Sequence, residues 1–199
     1  HARHIQELGR QTGGCELAAV VDNFGDTARR VAERLQPGQQ TEIRAFSDVA
    51  DLAAAGATDA AMIASRTDDH HRDSRTLIDA GQRVLLEKPL TGSVASAVEF
   101  VGYLNADKRR SQALMIAFMR RFDCPLLRAK ELLDAGCVGR VFKLVSVLED
   151  PIPPPVGYNS PGLLVDMSVH NIDEIIWLLG QAPMSVLATV PVRMTRLSS

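Results

Sequence analysis

Asp166, His170 and Asp173 stand at i, i+4 and i+7 in the stretch 163–177. If that stretch is helical, the three share one face. A carboxylate one turn from an imidazole can orient the ring and raise its pKa toward working pH, as general acid–base chemistry requires. A solvated helix face with a salt link would carry the same residues. Val165, Val169, Ile172, Ile176 and Leu179 recur at helical spacing and predict the apolar stripe that seats the helix.

The second candidate is Glu87-Lys88-Pro89, at the end of a strand expected over 84–87. Proline disfavours helix for the residue before it, so Lys88 is expected to be extended at the strand's end. Ligands of open parallel sheets bind outside the carboxyl ends of the strands. Lys88 is therefore aimed either into the crevice where substrate and cofactor meet or, more plainly, at solvent. Asp22 also ends an apolar run, 17–21. There an acidic residue can accept hydrogen bonds from adenosine ribose hydroxyls and repel a 2′-phosphate, favouring NAD over NADP. Asp is also an ordinary turn residue. The loop 64–71 follows another strand and opens a helix. Its Ser65, Thr67 and His70 face a cofactor or merely form a capped loop. His70 and His71 read as surface or capping residues, with no neighbouring metal-ligand spacing.

Apolar strand runs at 43–46, 60–64, 84–87 and 113–118 alternate with helical stretches at 1–9, 27–36, 48–53, 70–80 and 93–105. Continuous apolar strands between helices predict an α/β fold, a doubly wound parallel sheet covered on both faces. After residue 119 the texture changes to a helix over 122–135, a longer alternating strand over 141–148, a Pro-rich loop over 150–158 and a strand over 185–190. We expect a first domain over 1–119 and the start of a second, α+β domain with a mixed sheet over 120–199.

The chain has 199 residues, 46% hydrophobic and 23% charged, which suits globular domains rather than a disordered or fibrous chain. A net charge of −2 without like-charge blocks points away from nucleic acid and anionic membranes as partners. The longest purely apolar run, 113–119, is too short to span a bilayer. Three cysteines without metal spacing read as reduced, cytoplasmic thiols. The opening His1-Ala-Arg-His4 lacks an initiator Met and a signal pattern and reads as mid-helix. The expectation is a piece of a longer chain, without the glycine-rich phosphate turn, that binds NAD poorly by itself. His1 and His4 carry no functional weight in this reading.

Glu87-Lys88-Pro89 after a strand, with Asp166-x-x-x-His170-x-x-Asp173 later, resembles the Gfo/Idh/MocA oxidoreductase family. Met119-Arg120-Arg121-Phe122-Asp123 and the 165–173 segment are most similar to its inositol dehydrogenase branch, and Leu133-Asp134-Ala135-Gly136-x-x-Gly139 also fits. The resemblance implies a Rossmann domain for NAD(P), followed by a domain whose mixed sheet mediates homo-oligomers. Lys88, Asp166 and His170 match the catalytic positions. By that match, His170 takes the substrate hydroxyl proton as hydride leaves carbon, and Lys88 holds the same oxygen. Asp166 binds a neighbouring hydroxyl and biases His170, while Asp173 supports substrate or the histidine. Arg120 and Tyr158 are candidate substrate contacts. Asp22, Ser65, Thr67, His70, Glu87 and Lys88 form the cofactor-facing set. The implied activity is hydride transfer between a cyclitol or sugar hydroxyl and NAD, with no metal. Two other readings stay open: a non-catalytic sensing or protein-binding module, and a metal-dependent hydrolase using Asp166, His170 and Asp173.

Overall fold

The computed structural model describes residues 1–149 and 162–189. Its first part alternates helix and strand in the order α1 (Ala2–Thr12), β1 (Ala19–Val21), α2 (Thr27–Leu35), β2 (Arg44–Phe46), α3 (Val49–Ala55), β3 (Ala60–Ile63), α4 (His70–Asp79), β4 (Arg83–Leu86), α5 (Val94–Asn105), α6 (Lys108–Ala113) and β5 (Leu114–Ile116). Every strand pair is parallel, with Val21 opposite Phe46, Ile63 opposite Leu86, and Leu86 opposite Ile116. The hydrogen-bonded ladders form two pieces, β1-β2 and β3-β4-β5. One core joins them: Ala19, Val21 and Phe46 pack against Leu52, Ile63, Leu77, Val84, Leu86 and Phe100. Phe100 and Leu86 are wholly buried, and each such side chain stabilises the fold by about 1.5–3 kcal/mol.

Local chemistry sets the helix ends. Asp48 Oδ1 accepts from Ala50 N at 2.7 Å, and Ser93 Oγ accepts from Ser96 N at 3.2 Å, each satisfying an amide the first turn leaves open. Asp26 precedes α2 but makes no such cap; Arg29 takes its carboxylate at 2.7 Å. Gly81 follows α4 at φ 82, a left-handed conformation that Cβ-bearing residues rarely adopt.

Three features depart from expectation. Helix α6 lies where the sequence reading had no element. Its Lys-Arg-Arg-Ser-Gln-Ala carries no apolar stripe, and the Asp107 carboxylate starts it by accepting from Arg109 N at 2.8 Å. It also shortens the strand expected over 113–118 to Leu114–Ile116. The strands expected over 141–148 and 185–190 are not formed among the described residues. Leu144, Ser146 and Leu148 alternate half-buried with exposed neighbours, as a strand would. They find no partner ladder among the described residues, and without a ladder the extended chain is not a sheet.

Beyond β5 come a 3-10 turn (Met119–Phe122) and α7 (Cys124–Asp134), then α8 (Leu163–Asp166) and α9 (Ser168–Leu179). The helix expected over 163–177 is thus interrupted at Met167. The expected stripe is only partly covered: Ile172 is exposed, while Leu178 is the residue buried on α9. Among the described residues, no helix is long and apolar enough to cross a membrane.

Candidate active site

Strand β4 ends at Leu86, and Glu87 N still bonds to Ile63 O at 2.9 Å. The next residue is therefore carried on the rigid end of the sheet. Lys88 Nζ donates to the Asp166 backbone carbonyl at 2.9 Å and to Asp166 Oδ1 at 3.2 Å. Asp166 is 7% exposed, so this pair is poorly screened by solvent. The Lys88–Pro89 peptide is cis.

The break at Met167 falls where Lys88 takes the Asp166 carbonyl. In a continuous helix, His170 N–H would bond to the carbonyl of Asp166. That carbonyl instead accepts from Lys88, and His170 N donates to Met167 O at 3.2 Å. The chain tightens there to an i−3 bond. His170 still follows Asp166 by about one turn, but no hydrogen bond joins their side chains among the described residues.

His170 is half-buried, and its Nδ1 is buried without a hydrogen-bond partner among the described residues. Burial lowers its pKa below the ordinary 6.5, with the Lys88 and Arg120 charges adding to the effect; Glu87 and Asp173 oppose it. This corrects the expectation that Asp166 raises it. The carboxylate is occupied by an ammonium, and the imidazole feels the burial and the cations more. A neutral imidazole at neutral pH is a proton acceptor.

Asp173 is close enough to oppose the lowering of the His170 pKa, and it is itself held by an arginine. Arg121 grips it with a fork, Nη2–Oδ1 at 2.6 Å and Nε–Oδ2 at 2.9 Å, so both carboxylate oxygens are engaged. Arg120 Nη1 reaches Glu174 Oε2 at 2.7 Å and Asn171 Oδ1 at 3.2 Å, and Asn171 Nδ2 donates to Ser146 Oγ at 2.7 Å. These two arginines tie α9 to the end of β5. Asn171 and Glu174 were missed in the sequence. Their only signal there is spacing with the preceding arginines, which needs the fold to be visible. The carboxylates at 166 and 173 are thus engaged by Lys88 and Arg121 respectively. Tyr158 lies outside the described residues.

Of the residues expected to face a cofactor, Asp22 follows β1, and its Oδ1 accepts from Phe24 N at 2.8 Å. This Asx turn fixes the carboxylate at the strand's end. Ser65 is exposed in the loop after β3, its Oγ donating to Asp73 Oδ2 at 3.1 Å; Thr67 opens a 3-10 turn. Glu87 Oε1 lies 3.2 Å from His1 Nε2. His70 is 2% exposed, so it is not a surface residue. It turns inward because its ring nitrogens meet two backbone carbonyls, Pro89 O at 2.8 Å and Ser65 O at 3.2 Å.

Parallel strands with Asp22, the Ser65 loop and Lys88 at their carboxyl ends have the layout of a dinucleotide-fold α/β protein. Residues 1–117 match the model of an oxidoreductase family with an NAD-binding Rossmann fold, and residues 126–196 match the GFO/IDH/MocA C-terminal domain. The chain belongs to the Gfo/Idh/MocA oxidoreductase family. Inositol 2-dehydrogenase 2 of Saccharopolyspora erythraea is 33% identical over 193 residues, 96% of this chain and 54% of the relative. The chain thus spans about half the length of the curated relatives it matches. A crystal structure from Sinorhizobium meliloti 1021 superposes with TM-score 0.78 at 27% identity, covering 98% of this chain and 56% of that one. Scyllo-inositol dehydrogenase from Lactobacillus casei, solved with bound NAD(H) and scyllo-inositol, gives TM-score 0.69 at 25% identity, covering 89% and 52%.

Proposed function

We propose that the protein is an NAD-dependent oxidoreductase that transfers hydride between a hydroxyl-bearing carbon of a cyclitol or related sugar and nicotinamide. The observation that carries the reading is the Lys88–Asp166 contact at 3.2 Å, with a neutral-leaning His170 one turn further on. It joins an ammonium, a carboxylate and a base from two distant stretches of chain. The naming of the relatives as inositol dehydrogenases supports a cyclitol as substrate.

The residues present fit a dinucleotide. The Asp22 carboxylate stands at a strand end with Oδ1 fixed by Phe24 N, chemistry suited to ribose hydroxyls and hostile to a 2′-phosphate. This supports NAD over NADP. Ser65, Thr67 and Glu87 line the neighbouring strand ends. When bound, the nicotinamide supplies the hydride acceptor or donor.

The chain's own residues handle the proton and the oxygen. His170, neutral near pH 7, accepts the hydroxyl proton of an alcohol substrate. Lys88 faces the same oxygen and stabilises the negative charge that develops as the proton leaves. Asp166 holds Lys88 in place and offers an acceptor to a neighbouring hydroxyl. Substrate hydroxyls then compete with Asp166 for the ammonium. Arg120 and Tyr158 are assigned to further hydroxyls of the polyol, with Arg120 leaving Glu174 to do so. Asp173 acts through Arg121 by fixing α9. Free, exposed cysteines support a reducing, cytoplasmic setting, and the family resemblance supports a homo-oligomer.

Reduction of NAD by a panel of inositols and pyranoses, followed by nicotinamide absorbance, tests the reading. Turnover with a cyclitol is expected. No turnover with any polyol, from protein that binds NAD, overturns it.

A further inference from the structure

Strands β3 and β4 are held together by their ladder up to Ile63 and Leu86, and the last bond between them is Glu87 N to Ile63 O at 2.9 Å. Beyond it the backbone has no ladder, yet both functional loops begin there. His70, in the first turn of α4, takes over. Its Nδ1 lies 2.8 Å from Pro89 O and its Nε2 3.2 Å from Ser65 O. At 2% exposure the ring is sealed from water that would otherwise compete for these carbonyls. The loops also touch beside it. A Cβ added to Gly92 would come within 3.1 Å of Asp68 Oδ1, so the chain after Pro89 packs closely on the Thr67–Asp69 turn.

A carbonyl can only accept, so an imidazole with a single N–H donates to one of the two. The shorter contact takes the proton, so Nδ1–H donates to Pro89 O. That carbonyl is one residue after Lys88. It belongs to the Pro89–Leu90 peptide, and because the proline ring locks its own φ, fixing that peptide restrains the residue joined directly to Lys88.

We propose that His70 is a positioning residue for Lys88, pinning the Lys88–Pro89 turn to the first turn of α4 through its bond to Pro89 O, so that the ammonium keeps a fixed place beside the loop that opens α4. The role extends the dehydrogenase reading above and rests on it for its kinetic consequence. The geometry of the pin stands independently of that reading.

The test uses three variants. The amide nitrogen of His70→Asn stands where Nδ1 stands and keeps the bond to Pro89. His70→Gln places its amide nitrogen at the Nε2 position, beside Ser65 O, and cannot reach Pro89 O. His70→Ala keeps neither. Competitive acetylation of Lys88 by acetic anhydride, read by mass spectrometry, reports whether the ammonium is still held by Asp166. Slow labelling is expected in the wild type and His70→Asn, and faster labelling in His70→Gln and His70→Ala. In turnover, His70→Ala and His70→Gln should lose about 10²-fold in kcat, the scale of a misplacement near 1 Å, while His70→Asn recovers most of it. On a Lys88→Ala background, His70→Ala should lower kcat no further. Equal Lys88 labelling in all four proteins overturns the proposal. So does a loss shared alike by Asn and Gln in step with melting temperature, which would make His70 merely structural. If the wild type turns over no polyol, the dehydrogenase reading fails, and the labelling pattern alone decides His70.

Discussion

Lys88 Nζ bonds to both the main-chain carbonyl and the side chain of Asp166, a residue 78 positions further along the chain, at 2.9 and 3.2 Å. The first of these bonds takes the carbonyl that a continuous helix would offer to His170 N–H. One ammonium therefore anchors the carboxylate and takes the carbonyl at the end of α8, just ahead of the imidazole. Binding and local backbone geometry are coupled through a single side chain.

Removing that ammonium has two consequences. Lys88→Ala should lower kcat by roughly 10²–10³, the scale for losing one group that stabilises a developing oxyanion. It should also free the Asp166 carbonyl for His170 N–H. Amide hydrogen exchange at His170 should slow relative to its neighbours as the i−4 bond forms. Unchanged exchange there would separate the helix break from Lys88.

The pH dependence follows from the lowered His170 pKa. The neutral ring is the proton acceptor, so kcat/KM for polyol oxidation should be full near pH 7. It should fall on the acid side only below 6.5, the ordinary value from which His170 is lowered. Lys88→Ala removes one of the cations that lower it, so the acid limb of the remaining activity should move to higher pH. The same shift acts on stability. The folded chain binds fewer protons at His170 than the unfolded chain does. The contribution is complete above 6.5 and is lost as pH falls toward the folded value. A limb at or above 6.5 in the wild type would contradict the burial argument.

Cofactor choice tests Asp22. Its carboxylate is fixed at the end of β1 by Phe24 N. Asp22→Ser should reduce the NAD-to-NADP ratio of kcat/KM by roughly 10-fold or more, since placing like charges together costs several kcal/mol. A ratio unchanged by the substitution would remove Asp22 from the ribose.

The sequence made the strand-end position of Lys88 legible, because an apolar run followed by Pro89 is a local pattern. It also made the shared turn of Asp166 and His170 legible, because that is spacing. It could not show the break at Met167, which falls where a lysine 78 residues away takes the Asp166 carbonyl. His70 read as a cofactor-facing or capping residue from its place at a loop–helix junction. Its burial depends on where the Pro89 carbonyl arrives, which only the fold decides. The Arg121–Asp173 and Arg120–Glu174 pairs were hidden for the same reason: each residue has an ordinary local explanation, and only packing brings α9 beside the end of β5. The segment 141–148 shows the converse. Its alternation is real in the burial of Leu144, Ser146 and Leu148, but alternation describes a face, and a strand also needs a neighbour.

His170→Ala tests the central claim most directly. Cyclitol oxidation with NAD and NAD affinity by fluorescence titration should be measured on the same preparation. Loss of the proton acceptor should lower kcat by roughly 10²–10⁴, while the dissociation constant for NAD stays at its wild-type value. Near-normal kcat in a well-folded His170→Ala protein would contradict the account.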